Sequence, residues 1–336
     1  MILRIIVRRL FFLVFVLFGL SVITFGLSHI IPADPARLMA GPRASKETVD
    51  LLREKYGFND PLLTQYVRYV GDVVRLDFGD STSSRRSVNE DLRQYLPATI
   101  ELALAAFMLS VVVGIPLGVL SAVNPNSIWD LIGRLVSITG LAMPSFWLAL
   151  MLQFAFFAKL GWLPDGQRLP IGVDAPRQIT SLYSIDALLA GNLSLFWTVI
   201  KHLLMPSVVL AYGSLAVVTR MVRSGMLEVL SQDYVRTARA KGLRQRTVVI
   251  RHALKNALLP TITVLGLQVG LLLSGAVLVE IVFSWPGIGR YAVQGVQQFD
   301  YNAIMGTTLV IAFVYVIMNL VVDVLYVVVD PRISYA

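Results

Sequence analysis

The residue types that most often do chemistry are few in this sequence and stand far apart. The three histidines, His29, His202 and His252, fall in different parts of the chain, and there is no cysteine. No H-E-x-x-H zinc motif, G-x-S-x-G nucleophile elbow or G-x-x-x-x-G-K-[ST] phosphate loop occurs. The sequence therefore predicts neither an enzyme nor a metal site, and it predicts that the chain itself binds no cofactor.

Three carboxylates, Glu101, Glu280 and Asp323, are the ionisable residues closest to the long apolar runs. Coupling to an ion gradient favours ionisable groups near the centre of the bilayer. Each of these residues instead lies at the end of its run or within about two helical turns of it. For Asp323 we expect a buried pairing with Asn319, one turn earlier, rather than proton transfer.

The elements that carry these residues are predominantly apolar. The chain is 56% hydrophobic and 15% charged, with a mean hydropathy of +0.70, whereas a soluble domain is about a quarter charged. A helix crosses the hydrocarbon in about 20 residues. Runs of roughly this length predict an all-α integral membrane protein with six transmembrane helices: Leu10 to Ala33, Leu102 to Trp129, Leu135 to Ala158, Leu203 to Thr219, Asn256 to Val279 and Tyr301 to Val322. The start of the fourth stays open, because the apolar residues from Phe196 onward can extend it.

The charges predict the orientation of these helices. The first run follows arginines at positions 4, 8 and 9 and is longer than the roughly 7 to 15 apolar residues of a signal peptide, so we expect a retained helix with a cytoplasmic N-terminus. Residues 220–255 contain nine Lys or Arg and two acidic residues, whereas residues 283–300 contain one Lys or Arg, Arg290. By the positive-inside rule, residues 220–255 and the C-terminus are cytoplasmic.

Residues 34–97, between the first two spans, are predicted to form an extracytoplasmic helical subdomain. Ser45 is positioned to cap a helix through Leu51 to Tyr56. A second, amphipathic helix is indicated by apolar residues at helical spacing, namely Leu63, Tyr66, Val67, Val70 and Val74. Contact with the membrane face or a partner, and a folded lid with no partner, both stay open. The predicted divisions are therefore 1–33, 34–97 and a permease-like core at 98–336.

One densely cationic segment, YVRTARAKGLRQRTVVIRHALKNALLP, interrupts the apolar runs between Tyr234 and Pro260. Ser231 is predicted to be the N-cap of a helix, Asp233 to stabilise its dipole, and Gly242 to follow its last turn. A helix of about ten residues is only about 15 Å long, which is too short to cross a membrane. A second helix is predicted from near Arg244 into the fifth span.

The short helix has small residues, Ala238 and Gly242, on one face and cations on the other. This pattern suits docking into a cleft of a cytoplasmic protein, because small residues permit close approach and arginines orient the contact. The alternative is that the cations only set the topology and contact anionic lipid headgroups.

Other motifs bear on the membrane helices. Pro144 lies inside the third run, where its missing backbone hydrogen bond is expected to kink the helix. Two interpretations stay open: the kink lines the translocation path, or it has no function. Gly114, Gly118 and Ser121 form a small face for helix contact, either within the chain or across a dimer. Trp285 is predicted at the outer membrane interface, where indole rings are favoured.

The cationic segment resembles the EAA loop of ABC importer permeases. R-T-A at 236–238 occupies the EAA position, Gly242 the glycine and Leu259-Pro260 the L-P. The glutamate and first alanine are absent and the glycine-to-proline spacing is longer, but D-Y-V-R-T-A-R-A-K-G-L followed by H-A-L-K-N-A-L-L-P is similar to the dipeptide, oligopeptide and nickel permease family. Other similar pieces extend over nearly the whole chain: I-P-A-D-P, G-I-P-L-G-V-L, M-P-S-F-W, F-S-W-P-G-I-G-R, N-L-V-V-D-V-L-Y and D-P-R.

The resemblance implies a permease of the bacterial inner membrane, surrounded by lipid, with no nucleic-acid partner. It would pair with a homologous second permease, two cytoplasmic ABC ATPase subunits that hold ATP and Mg, and an extracytoplasmic substrate-binding protein. Residues 231–260 would be the coupling segment, and the residues implied to contact the ATPases are Asp233, Tyr234, Arg236, Thr237, Ala238, Arg239, Ala240, Lys241 and Gly242. The predicted path or gate residues are Pro144, Trp147, Trp285 and Gly287.

ATP-driven import of dipeptides, oligopeptides or a related small solute is therefore the function expected from the sequence. The alternative is a secondary transporter driven by an ion gradient, which the scarcity of ionisable residues in mid-membrane disfavours. The sequence leaves the substrate open among dipeptides, oligopeptides, glutathione, nickel chelates and haem.

Overall fold

A computed structural model of the protein describes residues 2–30, 35–40 and 44–329. Within these ranges the regular structure is helical, apart from one isolated bridge between Asp80 and Ser87. Before the second span lie α1 (Ile2–Ile30), α2 (Pro35–Ala40), α3 (Lys46–Lys55) and α4 (Leu62–Val74). The predicted all-α class is confirmed.

The membrane-spanning elements are long apolar helices. They are α1, α5 (Val88–Val123), the pair α6 (Ile128–Ala142) and α7 (Ser145–Leu152), α9 (Leu193–Leu230), the α11–α12 segment Gln245–Val282, and α14 (Tyr301–Val329). Five single helices in the described ranges are long and apolar enough to cross a membrane, and the bent α6–α7 pair brings the number to six. This agrees with the six predicted helices.

Shorter elements connect the spans. They are α8 (Tyr183–Leu189), α10 (Asp233–Ala240) and α13 (Ile288–Gln297), while the fifth span consists of α11 (Gln245–Thr247), a π-helical stretch and α12 (Lys255–Val282). Two π-helical stretches, Gln153–Lys159 after α7 and Val248–Leu254 before α12, continue neighbouring helices with wider turns.

The second span differs from its predicted bounds. The helix begins at Val88 and ends at Val123, so the prediction that it reaches Trp129 was wrong. Asn126 has a φ of +62° in the turn that follows, and Ser127 then caps α6 by accepting a hydrogen bond from the Asp130 backbone N–H. The turn contains Pro125, which disfavours helical geometry at the residue before it and so ends the long helix early.

The third predicted span is broken rather than kinked. The axes of α6 and α7 differ by 114° across Met143 and Pro144. Met143 has the extended ψ of 124° that is favoured before proline, and Pro144 has no N–H to continue the helical hydrogen bonding. The fourth span, whose start the sequence left open, begins at Leu193 because the Asn192 side chain accepts a hydrogen bond from the Leu195 N–H.

The chain forms two compact units. One contains residues 1–97 and 287–317, and the other contains 98–286 and 318–336, so that the first division falls within α5. In the first unit, Ser45 caps α3 through the Thr48 N–H, and α4 forms with Leu63 and Val67 exposed. The two helices predicted for this region are therefore present.

A buried carboxylate, that of Asp300, lies just before the start of α14 in the first unit. Asp300 Oδ2 accepts hydrogen bonds from Ser81 Oγ at 2.6 Å and from Ser83 N and Oγ at 2.9 Å each. Its Oδ1 accepts the Ala303 N–H at 3.1 Å. Charge-assisted bonds of this kind are short and strong, so Asp300 fixes residues 81–83 to the start of α14.

In the second unit, small residues let other helices approach α9 closely. A Cβ at Gly118 of α5 would lie 2.8 Å from the Thr219 carbonyl oxygen, and one at Gly140 of α6 would lie 2.9 Å from the Tyr212 carbonyl oxygen. Small residues are enriched where membrane helices touch, because they allow backbone contact. The small face predicted around Gly114 and Gly118 therefore packs within this chain, against α9.

Candidate functional site

The cationic segment folds as a short helix, α10, whose ends are clearly defined. Asp233 lies in its first turn, and Gly242 follows the C-cap residue Lys241 with a φ of +75°, as predicted. The predicted N-cap was wrong: the position is held by Gln232, which makes no side-chain cap. Ser231 Oγ donates instead to the Glu228 carbonyl at 2.7 Å and so closes the end of α9.

The buried face of α10 is directed toward its own chain. Val235 is fully buried and Ala238 is 6% exposed, and both pack with Val248, next to Val229 and Leu230 of α9. The expectation that Ala238 forms an open small face for a partner was therefore wrong. Its size lets α10 lie close to the start of the fifth span.

The opposite face of α10 and the following turn are exposed and cationic. The exposed members of the predicted set are Asp233, Tyr234, Arg236, Thr237, Arg239, Ala240, Lys241 and Gly242, and Arg244 and Arg246 continue the surface. Arg236 and Asp233 are 3.5 Å apart with both side chains largely exposed. Such a solvated pair contributes little stability, which leaves the arginine available to a partner.

The exposed helix α10 is connected to two membrane helices, α9 and α12. It follows α9 after two residues, and Asn256 Nδ2 at the start of α12 donates to Tyr234 Oη at 2.8 Å. Farther along α9, a Cβ on Gly225 would lie 2.8 Å from the Ala257 carbonyl oxygen, so α9 and α12 are in backbone contact there. α10 is thereby connected to both helices, to α9 along the chain and to α12 through a hydrogen bond.

A buried polar cluster, which was not predicted from the sequence, joins the α5–α6 turn to α9. Arg223 Nε donates to Asp130 Oδ1 at 2.8 Å and to Ser121 Oγ at 3.0 Å, and Ser121 Oγ donates to Asp130 Oδ1 at 2.7 Å. Asp130 Oδ2 also accepts the Asn126 N–H at 3.0 Å. The only sequence signal was an acid at the start of a span, and its partner lies 93 residues away.

A cavity of about 310 Å³ lies among α6, α7, α9 and α12, beside the break between α6 and α7. Its walls are mostly apolar, with Met143 and Ser145 at the break. Two polar residues of the wall are buried, Ser214 and Gln268, and Ser214 Oγ has no hydrogen-bond partner within the described part of the chain. A buried hydroxyl without a partner is costly unless a ligand or water satisfies it.

Comparison with known proteins places this geometry in a family. Residues 114–335 match the model described as the binding-protein-dependent transport system inner membrane component, and residues 2–103 match the model of that component's N-terminal region. The chain belongs to this family. It is a permease, and similarity to curated permeases extends over almost its full length.

The relatives are named as peptide transport proteins. The permease is 49% identical to the probable D,D-dipeptide transport system permease protein DdpB of Escherichia coli K12, over 97% of this chain and 96% of that one. It is 41% identical to the dipeptide transport system permease protein DppB of the same strain, with 99% of both chains covered. The oligopeptide transport system permease protein AppB of Bacillus subtilis is 39% identical, over 98% and 99%.

The residues predicted for the path or gate of the permease occupy different environments. Pro144 ends α6 beside the cavity, but Trp147 is 45% exposed and outside the cavity wall. Trp285 is fully buried, and its indole Nε1 donates to the Ala98 carbonyl at 2.9 Å. A buried hydrogen-bond acceptor thus satisfies its N–H, and its location at the outer membrane interface stays a prediction. Gly287 is the N-cap residue of α13.

The ionisable residues near the ends of the permease's spans are engaged in structural contacts. Glu101 Oε2 accepts from Arg168 Nη2 at 2.6 Å and Nε at 2.9 Å, and Ser184 donates twice to Oε1 at 2.7 Å. The buried Glu280 accepts a hydrogen bond from Thr99 Oγ1. The pairing predicted for Asp323 lies outside the side chains that the structure describes.

Proposed function

We propose that this permease imports small peptides, with dipeptides the favoured substrates, and that separate subunits supply the energy by hydrolysing ATP. The observation that carries the proposal is α10, which exposes a cationic face and is fixed through its other face to two membrane helices. The names of the relatives, which describe dipeptide and oligopeptide transport systems, support the substrate class. A related small solute is the nearest alternative.

In this proposal α10 is the coupling helix, the element on which two cytoplasmic ABC ATPase subunits act. Its exposed arginines orient the contact, because a guanidinium makes directional, bidentate bonds to carboxylates. The buried side chains of Val235 and Ala238 hold α10 in place against its own chain when an ATPase subunit moves it. The motion then reaches α9 directly and α12 through the Tyr234 to Asn256 hydrogen bond.

The cavity beside the α6–α7 break is the proposed intramembrane part of the path. Ser214 and Gln268 offer hydrogen bonds, and the remaining wall is mostly apolar. A hydroxyl and an amide suit a peptide backbone, which every peptide carries whatever its side chains. The break at Pro144 forms one border of this cavity, where Met143 and Ser145 line it.

The proposed assembly follows from this arrangement. Both termini and α10 lie on the cytoplasmic side of a bacterial inner membrane, and α3 and α4 lie outside, where a substrate-binding protein delivers the peptide. A homologous second permease completes the path. ATP and Mg are held by the ATPase subunits, and this chain holds no cofactor.

The test is co-expression of this permease with candidate ATPase, second-permease and binding-protein subunits, followed by co-purification and uptake of a labelled dipeptide into vesicles. Arg236→Glu reverses an exposed charge on α10 and is expected to reduce ATPase co-purification and ATP-driven uptake together. Arg177→Glu is the matched control, because Arg177 is exposed in the segment between α7 and α8. Uptake driven by an ion gradient without any ATPase would overturn the proposal in favour of a secondary transporter.

A further inference from the structure

A second cavity, of about 440 Å³, lies in the unit formed by residues 1–97 and 287–317. It is bordered by Phe25 of α1, by α4, by the segment that follows α4, and by the start of α14. Sites for small molecules are usually concave and roughly 300 to 1,000 Å³ in volume, so this cavity is large enough for one. It is separate from the cavity beside the α6–α7 break and shares no residue with it.

The walls of this second cavity are rich in aromatic rings. Seven line it: Phe25, Tyr56, Phe58, Tyr69, Phe78, Phe299 and Tyr301. The face of an aromatic ring carries negative electrostatic potential and attracts organic cations, most strongly when the cation is desolvated. The same rings bury the apolar body of a ligand.

The charged groups of the wall are predominantly acidic. Asp72, Asp77 and Asp80 line the cavity together with a single cation, Arg68. Arg68 Nη2 donates to Asp60 Oδ2 at 2.5 Å. The positive charge of Arg68 is therefore balanced by Asp60, which does not line the cavity. The carboxylates of Asp72 and Asp80 have no hydrogen-bond or ion-pair partner among the residues that the structure describes. The cavity thus holds negative charge that its own wall does not neutralise.

One residue of the cavity wall, Tyr301, carries a buried hydroxyl. Tyr301 is only 9% exposed, and its Oη makes no hydrogen bond within the described ranges. Leaving such a group unsatisfied costs the full desolvation penalty of the hydroxyl. A bound polar group would remove that cost, because a phenol both donates and accepts.

The spacing of the carboxylates is unsuited to a metal ion. In the described part of the chain, no three His, Cys, Asp or Glu side chains converge closely enough to hold one. A ligand that fills this cavity would contact both the carboxylates and several rings of its wall. An organic ammonium ion with an apolar body has these properties.

We propose that this cavity is a binding site for a primary ammonium group attached to an aromatic or aliphatic body. Asp72 and Asp80 supply the counter-charge, the rings contact the body and the cation, and Tyr301 Oη hydrogen-bonds the ligand's polar end. Both a free amine and the amino terminus of a hydrophobic peptide carry this chemistry. The site is independent of the proposed function, because it requires only this chain.

The test is isothermal titration of the full-length chain in lipid nanodiscs with phenethylamine, using empty nanodiscs as the baseline. Saturable binding is expected, and 3-phenylpropionate, which has a similar body but a negative charge, is expected not to bind. Replacing Asp72 and Asp80 together with asparagine should weaken the amine by about tenfold or more, as loss of hydrogen bonds to charged groups does. Asp50→Asn is the control, because Asp50 is exposed and pairs with Arg53 instead.

The result that would overturn the site is absence of saturable amine binding, equal binding of the carboxylate probe, or unchanged affinity in the Asp72→Asn/Asp80→Asn variant. The carboxylate comparison uses the wild-type chain and so does not depend on the folding of any variant. Competition with the dipeptide Phe-Ala and its N-acetyl form distinguishes the two sources. If Phe-Ala displaces phenethylamine and N-acetyl-Phe-Ala does not, the site binds a peptide amino terminus. If neither dipeptide displaces phenethylamine, the site binds a free amine. Failure of this site would leave ATP-driven uptake unaffected.

Discussion

Replacing Arg168 with methionine is expected to destabilise the protein strongly, because it leaves a charged partner buried. Arg168 and Glu101 are 6% and 3% exposed, and two guanidinium nitrogens contact one carboxylate oxygen at 2.6 and 2.9 Å. The other oxygen keeps its two hydrogen bonds from Ser184. Methionine fills much of the space of the arginine but offers no donor, so the carboxylate loses its only cation in this set of contacts.

The expected loss can be worked from these contacts. Each hydrogen bond to a charged group contributes about 1.5 to 3 kcal/mol, so the two to Glu101 contribute about 3 to 6 kcal/mol together. The bond from Arg168 Nη2 to the Ser181 carbonyl is lost as well. Breaking a buried ion pair on one side costs about 3 to 5 kcal/mol, which agrees with the contribution of the two bonds to Glu101. Replacing both partners, as in Arg168→Met with Glu101→Gln, leaves no buried charge and is expected to cost less than about 2 kcal/mol. The double variant should therefore be more stable than Arg168→Met alone.

The assay is reversible unfolding of the purified permease in mixed micelles, titrated with sodium dodecyl sulfate and followed by far-ultraviolet circular dichroism. Arg177→Met is the matched control, because Arg177 is an exposed arginine of the same loop, and a change within about 0.5 kcal/mol is expected there. A loss below about 1 kcal/mol for Arg168→Met, or a double variant less stable than that single one, would refute the reasoning.

Three further predictions concern other contacts. Gly225→Ala places a Cβ 2.8 Å from the Ala257 carbonyl oxygen and should lower the free energy of unfolding by about 1 to 3 kcal/mol in the same assay. Because α9 and α12 must then separate, peptide uptake should fall more than ATPase binding does. An equal loss of uptake and of ATPase binding would contradict the idea that this contact transmits the motion. Gly242→Ala forces a φ of +75° on a residue with a Cβ and should cost about 1 to 2 kcal/mol, with Gly242→Asn milder; an alanine variant as stable as the wild type would contradict the observed turn. Burial alone would raise the pKa of Asp186, but hydrogen bonds from Thr180 Oγ1 and N outweigh it and hold the pKa below the ordinary value. A lowered pKa in the folded state means that this stabilisation is present above the unfolded pKa of about 3.9 and is lost as the pH falls below it, so Asp186→Asn should flatten the acid side of a stability profile; an unchanged profile would argue against these bonds.

Much of the fold was accessible from the sequence because its determinants are local. The length of an apolar run and the cost of burying a charge in lipid define a span, and side-chain caps such as Ser45 define where a helix begins. Gly242 was predictable for the same reason, since the left-handed backbone after a helix favours glycine.

The contacts that the sequence did not predict occur where a residue's environment depends on distant parts of the chain. Ala238 is buried because Val248 and the end of α9 fold back on α10, and Trp285 is buried because the Ala98 carbonyl, 187 residues earlier, accepts its N–H. The partner of Glu101 is Arg168, 67 residues later, in a loop with no recognisable pattern. No periodicity within a short window contains this information.

The central claim, that α10 is the surface on which ATPase subunits act, is tested most directly by site-specific cross-linking. The chain has no cysteine, so one introduced at Thr237 or Ala238 is unique. Thr237 is exposed and its neighbour Ala238 is packed against its own chain, which makes the two positions a matched pair. With a benzophenone attached in membranes containing the whole transport system, Thr237→Cys should form a covalent adduct with an ATPase subunit and Ala238→Cys should not. Absence of an adduct from Thr237→Cys, while the assembled system still imports peptide, would contradict the claim.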